Sequence, residues 1–420
     1  MSFAPSASTA QSTPVTAPSI LLFATTWWPL STRLALRLIQ LGASVSALVP
    51  RHHMMLAVPE LASLHTLRPF TLLPSIRQAV LSSKPDLIVP ADDTAVLLLH
   101  DFAQQYSEFS PLIERSLGSS RHFSLLRSRR QFLTLAESLG IPCPLTSKIE
   151  SSARINAIEA ANTFPTVLKY DGTSGGYGVV LARNPDQLQL GYRMLKRHRL
   201  PLRNLKRFLI DADVTALHRP LALPPDEITL QSFIPGASAN GLFVAQRGQI
   251  LAHIQVRVVR ALSETGAAVV VDRIQHSAIL DAAQKIASRL ELSGFFGLDF
   301  ILHAETGEPF LLEINPRATQ LCHIPLDPEQ SAFATLADAI YFAASGNIPQ
   351  QQLPPLPIHA RFAFFPQALT LPSDDPALAT ATIDRPDNPA IVVEMERHVW
   401  PQRRSWLLLY NRIVHPIHQR

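Results

Sequence analysis

The apolar residues of the first hundred positions fall into short blocks separated by segments of helical spacing. Ser19-Ile-Leu-Leu-Phe-Ala24 has the length and continuity of a buried strand. Thr32 to about Leu41 reads as a helix stopped by Gly42, and Val45 to Val49 as the next strand. Asp86-Leu-Ile-Val89, bracketed by Pro85 and Pro90, is a further strand, and Ala91-Asp92-Asp93-Thr94 opens a helix. Strands that alternate with helices predict a parallel sheet whose strand C-termini present loops to a ligand. Asp92-Asp93 therefore suits either the lining of a cleft or, more simply, a helix N-cap. The first strand-to-helix turn, Thr25-Thr26-Trp27-Trp28-Pro29-Leu30, has no glycine, so it cannot cradle a pyrophosphate in the dinucleotide-binding manner.

The pattern then changes. Residues 128–142 read as a helix ended by Gly140, and an α+β region runs on to about residue 345. Beyond it the chain is Pro-rich at first. Val392-Val-Glu-Met395 and Trp406-Leu-Leu-Leu-Tyr410 then predict a small strand-rich appendix. The expected organisation is a floppy tail over 1–18, an α/β unit over 19–126, an α+β unit over 127–345 and the appendix over 346–420.

Two segments of the α+β unit carry candidate chemistry. Thr166-Val-Leu-Lys169-Tyr170 and Val179-Val-Leu-Ala182 are short strands on either side of Asp171-Gly-Thr-Ser-Gly-Gly-Tyr-Gly178. The glycines Gly172, Gly175, Gly176 and Gly178, with the Ser174 hydroxyl, suit a loop whose N–H groups wrap phosphate oxygens. Strand leads to strand here. The loop is thus a hairpin flap rather than a Walker A loop, which would enter a helix. Lys169, at the end of its strand, supplies a point charge for phosphates. The plain alternative is a glycine-rich hairpin with a surface lysine.

The second segment is a predicted β-hairpin, Phe295-Phe-Gly-Leu-Asp299-Phe-Ile-Leu-His303 and Pro309-Phe-Leu-Leu-Glu313-Ile-Asn315. Alternation puts Glu313 and Asn315 on one face, and pairing about the turn centre sets Asp299 opposite Glu313. Two carboxylates and a carboxamide oxygen on otherwise apolar strands make a hard-oxygen set for Mg²⁺ that also keeps waters and phosphates. A rim of solvated acids is the alternative, and Leu311, Leu312 and Ile314 argue against it. Arg317 follows at the same end, suited to a carboxylate or a transferring phosphoryl group, or to a structural ion pair. Between the two segments, Ile228-Thr-Leu-Gln231-Ser232-Phe233-Ile234-Pro-Gly236 is a strand whose end offers backbone groups to an adenine edge.

Composition narrows the class. Hydrophobic residues are 47% and charged residues 17% of the chain, against about 25% charged on average. This excludes a disordered or nucleic-acid-coating protein. No apolar stretch reaches the roughly 20 residues of a membrane-spanning helix. The N-terminal tail lacks the basic start of a signal peptide. The two cysteines, Cys143 and Cys322, form no disulfide framework, so a reducing cytoplasm is expected.

In the order of its parts, the sequence from "LRSRRQFLTLAESLGIPCP" through "PTVLKYDGTSGGYGVV" and "LQSFIPG" to "GFFGLDFILHAETGEPFLLEINPR" resembles the ATP-grasp superfamily over residues 127–320. The preceding α/β region is similar to the domain that comes before it in such proteins. The resemblance implies an ATP cleft between two subdomains, with a lid over about 164–235. Lys169 matches a phosphate-binding lysine of the family, Gln231 to Ile234 the adenine hinge, and Asp299, Glu313 and Asn315 the ligands of one or two Mg²⁺, with Mn²⁺ as an alternative ion. Three departures stand out. The family's helix-start lysine falls at Arg129, Ser232 replaces an acid in the hinge, and Gly236-Ala-Ser-Ala-Asn240 lacks the acid that binds ribose.

In similar proteins an arginine on the strand His253–Val259 holds the acyl phosphate. Gln255, Arg257 and Arg260 are the candidates there, and Arg257 is favoured. The basic run Tyr192–Arg207 suits a solvated helical face, or else an acidic partner. The expected function is a cytoplasmic ATP-dependent carboxylate–amine (or carboxylate–thiol) ligase. It would act on small-molecule acids and amines, without nucleic acid or membrane partners, and a homodimer is compatible. An ATP-grasp kinase or carboxylase, and a non-catalytic nucleotide-binding protein, are the alternatives.

Overall fold

The computed structural model describes residues 17–51, 53–149, 155, 164–171, 178–197, 213–216, 218, 227–329, 331–348 and 360–397. The strands β1 (Ser19–Phe23), β2 (Ser44–Val49), β3 (Ser63–Thr66) and β4 (Leu87–Pro90) pair in parallel in the order β3-β2-β1-β4. The connecting helices are α1 (Pro29–Gln40), α2 (Leu72–Ser83) and α3 (Asp93–Gln105), followed by α4 (Ser110–Leu117) and α5 (Phe123–Leu126). This is the parallel α/β unit that the alternating pattern predicts. Asp92 caps α3 by accepting from Ala95 N at 2.9 Å, and it also accepts from Thr25 N and Oγ1 at 2.6 and 2.7 Å. A single carboxylate thus starts a helix and fixes the loop after β1.

After α6 (Arg129–Ser138) comes a second sheet, order β5-β8-β6-β7, of β5 (Thr146–Lys148), β6 (Thr166–Tyr170), β7 (Val179–Ala182) and β8 (Ile228–Ser232). Helix α7 (Pro185–Arg197) covers it through Leu188, Tyr192 and Leu195. The basic run expected from Tyr192 is therefore helical as far as Arg197, with Tyr192 buried, and positions 198–207 lie outside the described residues.

The third sheet has seven strands in the order β13-β12-β9-β10-β11-β14-β15. They are β9 (Gly236–Gln246), β10 (Gln249–Ala261), β11 (Ala268–Ile274), β12 (Gly294–His303), β13 (Pro309–Asn315), β14 (Arg361–Ala363) and β15 (Ala381–Ile383). Helices α8 (Ser277–Leu290), α9 (Leu336–Ser345) and α10 (Pro389–Arg397) complete the described elements. The apolar residues of β9 alternate between two cores. Leu242 and Val244 join Ile254, Phe362, Leu336 and Ile340, together with Ile20, Leu22, Leu34 and Leu38 from the first sheet and α1. Phe243 and Ala245 face Phe296, Phe300, Ile279, Ile286 and Phe132. Two buried ion pairs reinforce the first contact: Arg37 of α1 with Asp338 of α9 at 2.8 Å, and Arg33 with Asp384 at 3.3 Å.

The C-terminal expectation needs correction. Rather than standing apart, β14 and β15 extend the large sheet, and Val392–Met395 is part of helix α10, not a strand. Asn388 accepts from Ala390 N at 3.0 Å, and Ile391, Val392 and Met395 are spaced to pack one helical face on Trp27, Met54 and Phe365. Trp406–Tyr410 and residues 1–16 of the tail lie outside the described residues. Among the described residues no helix is long and apolar enough to cross a membrane.

His100 of α3 is buried against Phe123, with ring centroids 3.8 Å apart, and burial holds its pKa down at about 3. An unfolded chain takes up this proton near pH 6.5, whereas the folded protein refuses it until about pH 3. The unfolded state therefore binds more protons between these values, and stability is lost as pH falls through that window. Denaturant midpoints from pH 7 to pH 4 should fall less steeply for His100→Gln than for the unaltered protein; parallel profiles would refute the assignment.

Candidate active site

The predicted metal hairpin forms, and its register is set by a bulge. Leu302, Ile301 and Phe300 pair with Pro309, Phe310 and Leu311, but Asp299 pairs with Glu313, leaving Leu312 as the extra residue. Without that residue Asp299 would face an apolar side chain. With it, Asp299 and Glu313 lie directly opposite, and Asn315 opposes Gly297 on the same face. On the other side of β12, Asp299 pairs with Asn240 of β9. The Asn240 Nδ2 donates to Asp299 Oδ1 at 2.5 Å and the Asn315 Nδ2 to Asp299 Oδ2 at 3.0 Å. Gly236, which opens β9, is required by close approach, since a Cβ there would lie 1.9 Å from the Leu302 carbonyl oxygen.

Basic groups converge on this acid pair from the second sheet and its preceding helix. Arg129 is the first residue of α6, whose N-cap Ser128 accepts from Gln131 N at 3.4 Å. Its Nη2 lies 2.7 Å from Glu313 Oε2 and its Nη1 3.2 Å from Asp171 Oδ1. Burial opposes its charge, but Glu313 and Asp171 outweigh burial and hold its pKa above the ordinary value. Lys169, at the end of β6, is buried; desolvation, aided by Arg129, brings its pKa down to about 8. Asp171 is pushed up to about 6, mainly by burial. Within the carboxylate pair, burial and the Glu313 charge raise Asp299. Burial acts on Glu313 in the same sense, but Arg129 and Lys169 prevail and lower it.

Arg317 sits at the same end. Its Nε and Nη2 make a forked contact with Asp93 at 2.7 and 3.1 Å, and its Nη2 also donates to Asn315 Oδ1 at 3.2 Å. Asp93 begins α3, so the first sheet reaches the site through this carboxylate.

Six of the expected residues thus meet: Arg129, Lys169, Asp299, Glu313, Asn315 and Arg317. Strands β6 and β7 form the hairpin anticipated around the glycine loop, and Tyr170 N donates to Gly178 O at 2.8 Å. Gly172, Ser174, Gly175 and Gly176 lie outside the described residues. In the hinge, the Gln231 side chain is buried and donates to Thr146 Oγ1 at 3.1 Å, while Ser232 N donates to Leu145 O. Phe233 is exposed, and Ser232 and Ile234 are half-buried.

Arg257 does not join the site. It pairs with Ala239, which pairs with Phe300, so it lies on the opposite sheet face from Asp299. There it is half exposed and bound to Asp272 at 3.2 Å. Arg260 is paired with Asp375, and Gln255 accepts from His276 N. Sequence reasoning also missed Asp171 and Asn240 as partners in the site, Asp171 having a local signal in its place beside the glycine loop. It left Asp92-Asp93 open between cleft lining and a helix N-cap; Asp92 is the cap and Asp93 reaches Arg317.

The donor set fits a hard divalent cation. Asp299 and Glu313 are half-buried carboxylates held face to face, with the Asn315 and Asn240 carboxamides beside them, and carboxylate and carboxamide oxygens are what Mg²⁺ takes alongside phosphate. Among the described residues no group of three or more His, Cys, Asp or Glu converges as a metal site, so the set at this hairpin rests on two carboxylates and the carboxamides.

Residues 211–320 match the model of an ATP-grasp domain. Comparison with solved structures agrees with the fold around that segment. The fold of the chain is similar to that of an ATP-analogue complex of biotin carboxylase from Campylobacter jejuni, with TM-score 0.56 and 12% identity over 80% of this chain and 72% of that one. An ADP complex of N5-carboxyaminoimidazole synthetase from Staphylococcus aureus gives 0.57 and 15% over 81% and 79%. An L-amino acid ligase from Bacillus licheniformis gives 0.55 and 12% over 78% and 74%. No curated protein matches the sequence. The Asp299–Glu313 hairpin falls inside the matched segment, whereas Arg129, Lys169 and Asp93 lie before it.

The Arg317–Asp93 contact gives a direct test. Asp93→Ala leaves the half-buried Arg317 guanidinium without its carboxylate and should cost about 1–2 kcal/mol, below the cost for a fully buried pair because Asp93 is partly solvated. Urea midpoints for this variant, for Arg317→Ala and for the double variant form a cycle, and a coupling near zero would show that the pair contributes nothing.

Proposed function

We propose that the chain is an ATP-dependent ligase that activates a carboxylate as an acyl phosphate and joins the acyl group to an amine or a thiol, releasing ADP and phosphate. The observation that carries this reading is the convergence of Lys169 and Arg129 on the half-buried Asp299–Glu313 pair, with Arg317 at the same end.

The β6–β7 hairpin and Lys169 position the phosphates, and Ser232 to Ile234 offer backbone groups to the adenine. A carboxylate oxygen of the substrate attacks the γ-phosphorus, the bond to the β,γ-bridging oxygen breaks, and ADP leaves with that electron pair. Asp299, Glu313 and Asn315 would hold Mg²⁺, which supplies charge neutralisation at the phosphate oxygens. Arg317 stabilises the acyl phosphate and its breakdown. The nucleophile then attacks the acyl carbon, inorganic phosphate departs with the C–O electron pair, and the nucleophile loses its proton to solvent. No side-chain nucleophile is needed, because positioning and electrostatics carry this chemistry.

Arg129 has a double role in this reading. With Glu313 engaged by a cation, its guanidinium is released from that carboxylate and becomes available to phosphate oxygens. The apo contact is then a resting arrangement that keeps the Glu313 charge balanced.

Lys169→Ala and Glu313→Ala should each lower ATP turnover by at least about a hundredfold while the cooperative unfolding transition is retained. ADP release is to be measured across carboxylic acids paired with amino acids, with product mass as the second readout. Wild-type-like turnover in either folded variant removes the assignment. A phosphorylated acid as final product would make the chain a kinase instead, and bicarbonate dependence a carboxylase.

A further inference from the structure

The sheet face that carries Asp299 and Asn240 continues through Val256 of β10 to Arg273 of β11, because these residues pair in one row. Arg273 is 8% exposed. Its Nη2 donates to the Pro325 carbonyl oxygen, and its guanidinium lies 5.6 Å from the centre of the Phe362 ring. Its Nε has no hydrogen-bond partner among the described residues.

The other buried arginines have carboxylates, Arg33 with Asp384 and Arg37 with Asp338, and so do the half-buried Arg127 with Asp101, Arg129 with Glu313 and Arg317 with Asp93. Arg273 makes no ion pair among the described residues. Burial lowers its pKa, and Asp327 supports its charge only from beyond ion-pair distance. A buried guanidinium with an idle N–H and no counter-ion is costly. The cost is offset if a ligand supplies the anion.

Three strand spacings separate Arg273 from Asp299, about 14 Å between backbones. A small bifunctional acid and the arginine side chain cover this span together. The segment that begins at Arg317 also crosses the same face. Gln320 donates to Ala268 O at 3.1 Å, and Pro325 meets Arg273. One segment therefore links the end that would handle the acyl phosphate to this arginine.

We propose that Arg273 is an anion subsite that takes a second carboxylate on the acid activated at the Asp299–Glu313 end, so that the preferred acids are dicarboxylates. This deepens the ligase reading and rests on it for the nature of the ligand. One guanidinium beside an aromatic ring and Asp327 balances one negative charge, which favours a carboxylate over a phosphate. The planar fork of arginine suits that group.

The full-length protein, Arg273→Gln and Arg273→Lys are compared in two assays. The first is Mg-ATP-dependent ADP release with butyrate against succinate and valerate against glutarate, with ammonium and amino acids as amines. The second is the shift of the thermal unfolding midpoint by the same acids in the presence of Mg-ADP. The unaltered protein should favour each dicarboxylate by about tenfold or more in kcat/KM. Arg273→Gln should lose that preference through KM while its kcat with monoacids is kept. Arg273→Lys, which keeps the charge but not the fork, should fall between them. Succinate or glutarate should raise the midpoint of the unaltered protein and leave that of Arg273→Gln in place.

Equal use of mono- and dicarboxylates by the unaltered protein overturns the proposal. So does an Arg273→Gln variant that keeps the preference, or one that only unfolds earlier with an unchanged acid response, as a structural cation would. No ADP release with any acid, together with a dicarboxylate shift that needs Arg273, keeps the subsite and overturns the ligase reading.

Discussion

Two half-buried carboxylates, Asp299 and Glu313, face each other across β12 and β13, and the rest of the site is arranged around the repulsion between them. Water relieves that repulsion only in part, because the strands around the pair are apolar. Relief comes from charge brought by other elements. Arg129 comes from the start of α6, Lys169 from the end of β6, and Arg317 from the segment after β13. Each of these cations is itself desolvated, so each needs the acids as much as the acids need it. Removing any one member leaves an uncompensated charge, which gives the cluster a defined geometry.

The same logic explains why the first sheet is connected to this centre. Arg317 forms its ion pair with neither hairpin acid, and Asp93 supplies its carboxylate from α3. Its neighbour Asp92 is fully occupied by the helix N-terminus and the loop after β1. Adjacent acids thus divide the work: one builds the local structure, and the other spans to the site.

Much of this could be read from the sequence where partners are close along the chain. The hairpin was legible because its two strands are contiguous and its turn is marked by glycine. Even there, pairing about the turn centre gave the correct partners for Asp299 only because the bulge at Leu312 shifts the register by one. Long-range partners were not legible. Asp93 and Arg317 lie 224 residues apart, and Asn240 reaches Asp299 through a pairing of non-consecutive strands. Arg257 shows the limit of alternation most clearly. Along β10 the period places Gln255 and Arg257 on one face, but which face that is depends on the register against β9. The Val392–Met395 run illustrates a different limit, since β-branched residues suggested a strand while Asn388 and the apolar spacing favoured a helix.

One core of this protein is assembled from both ends of the chain. Ile20, Leu22, Leu34 and Leu38 are covered by Leu336, Ile340 and Phe362. During synthesis the first sheet therefore emerges with one apolar face bare, and about three hundred further residues must be added, at roughly 5–20 residues per second, before its cover exists. For many seconds the nascent chain presents that face to whatever surrounds the ribosome.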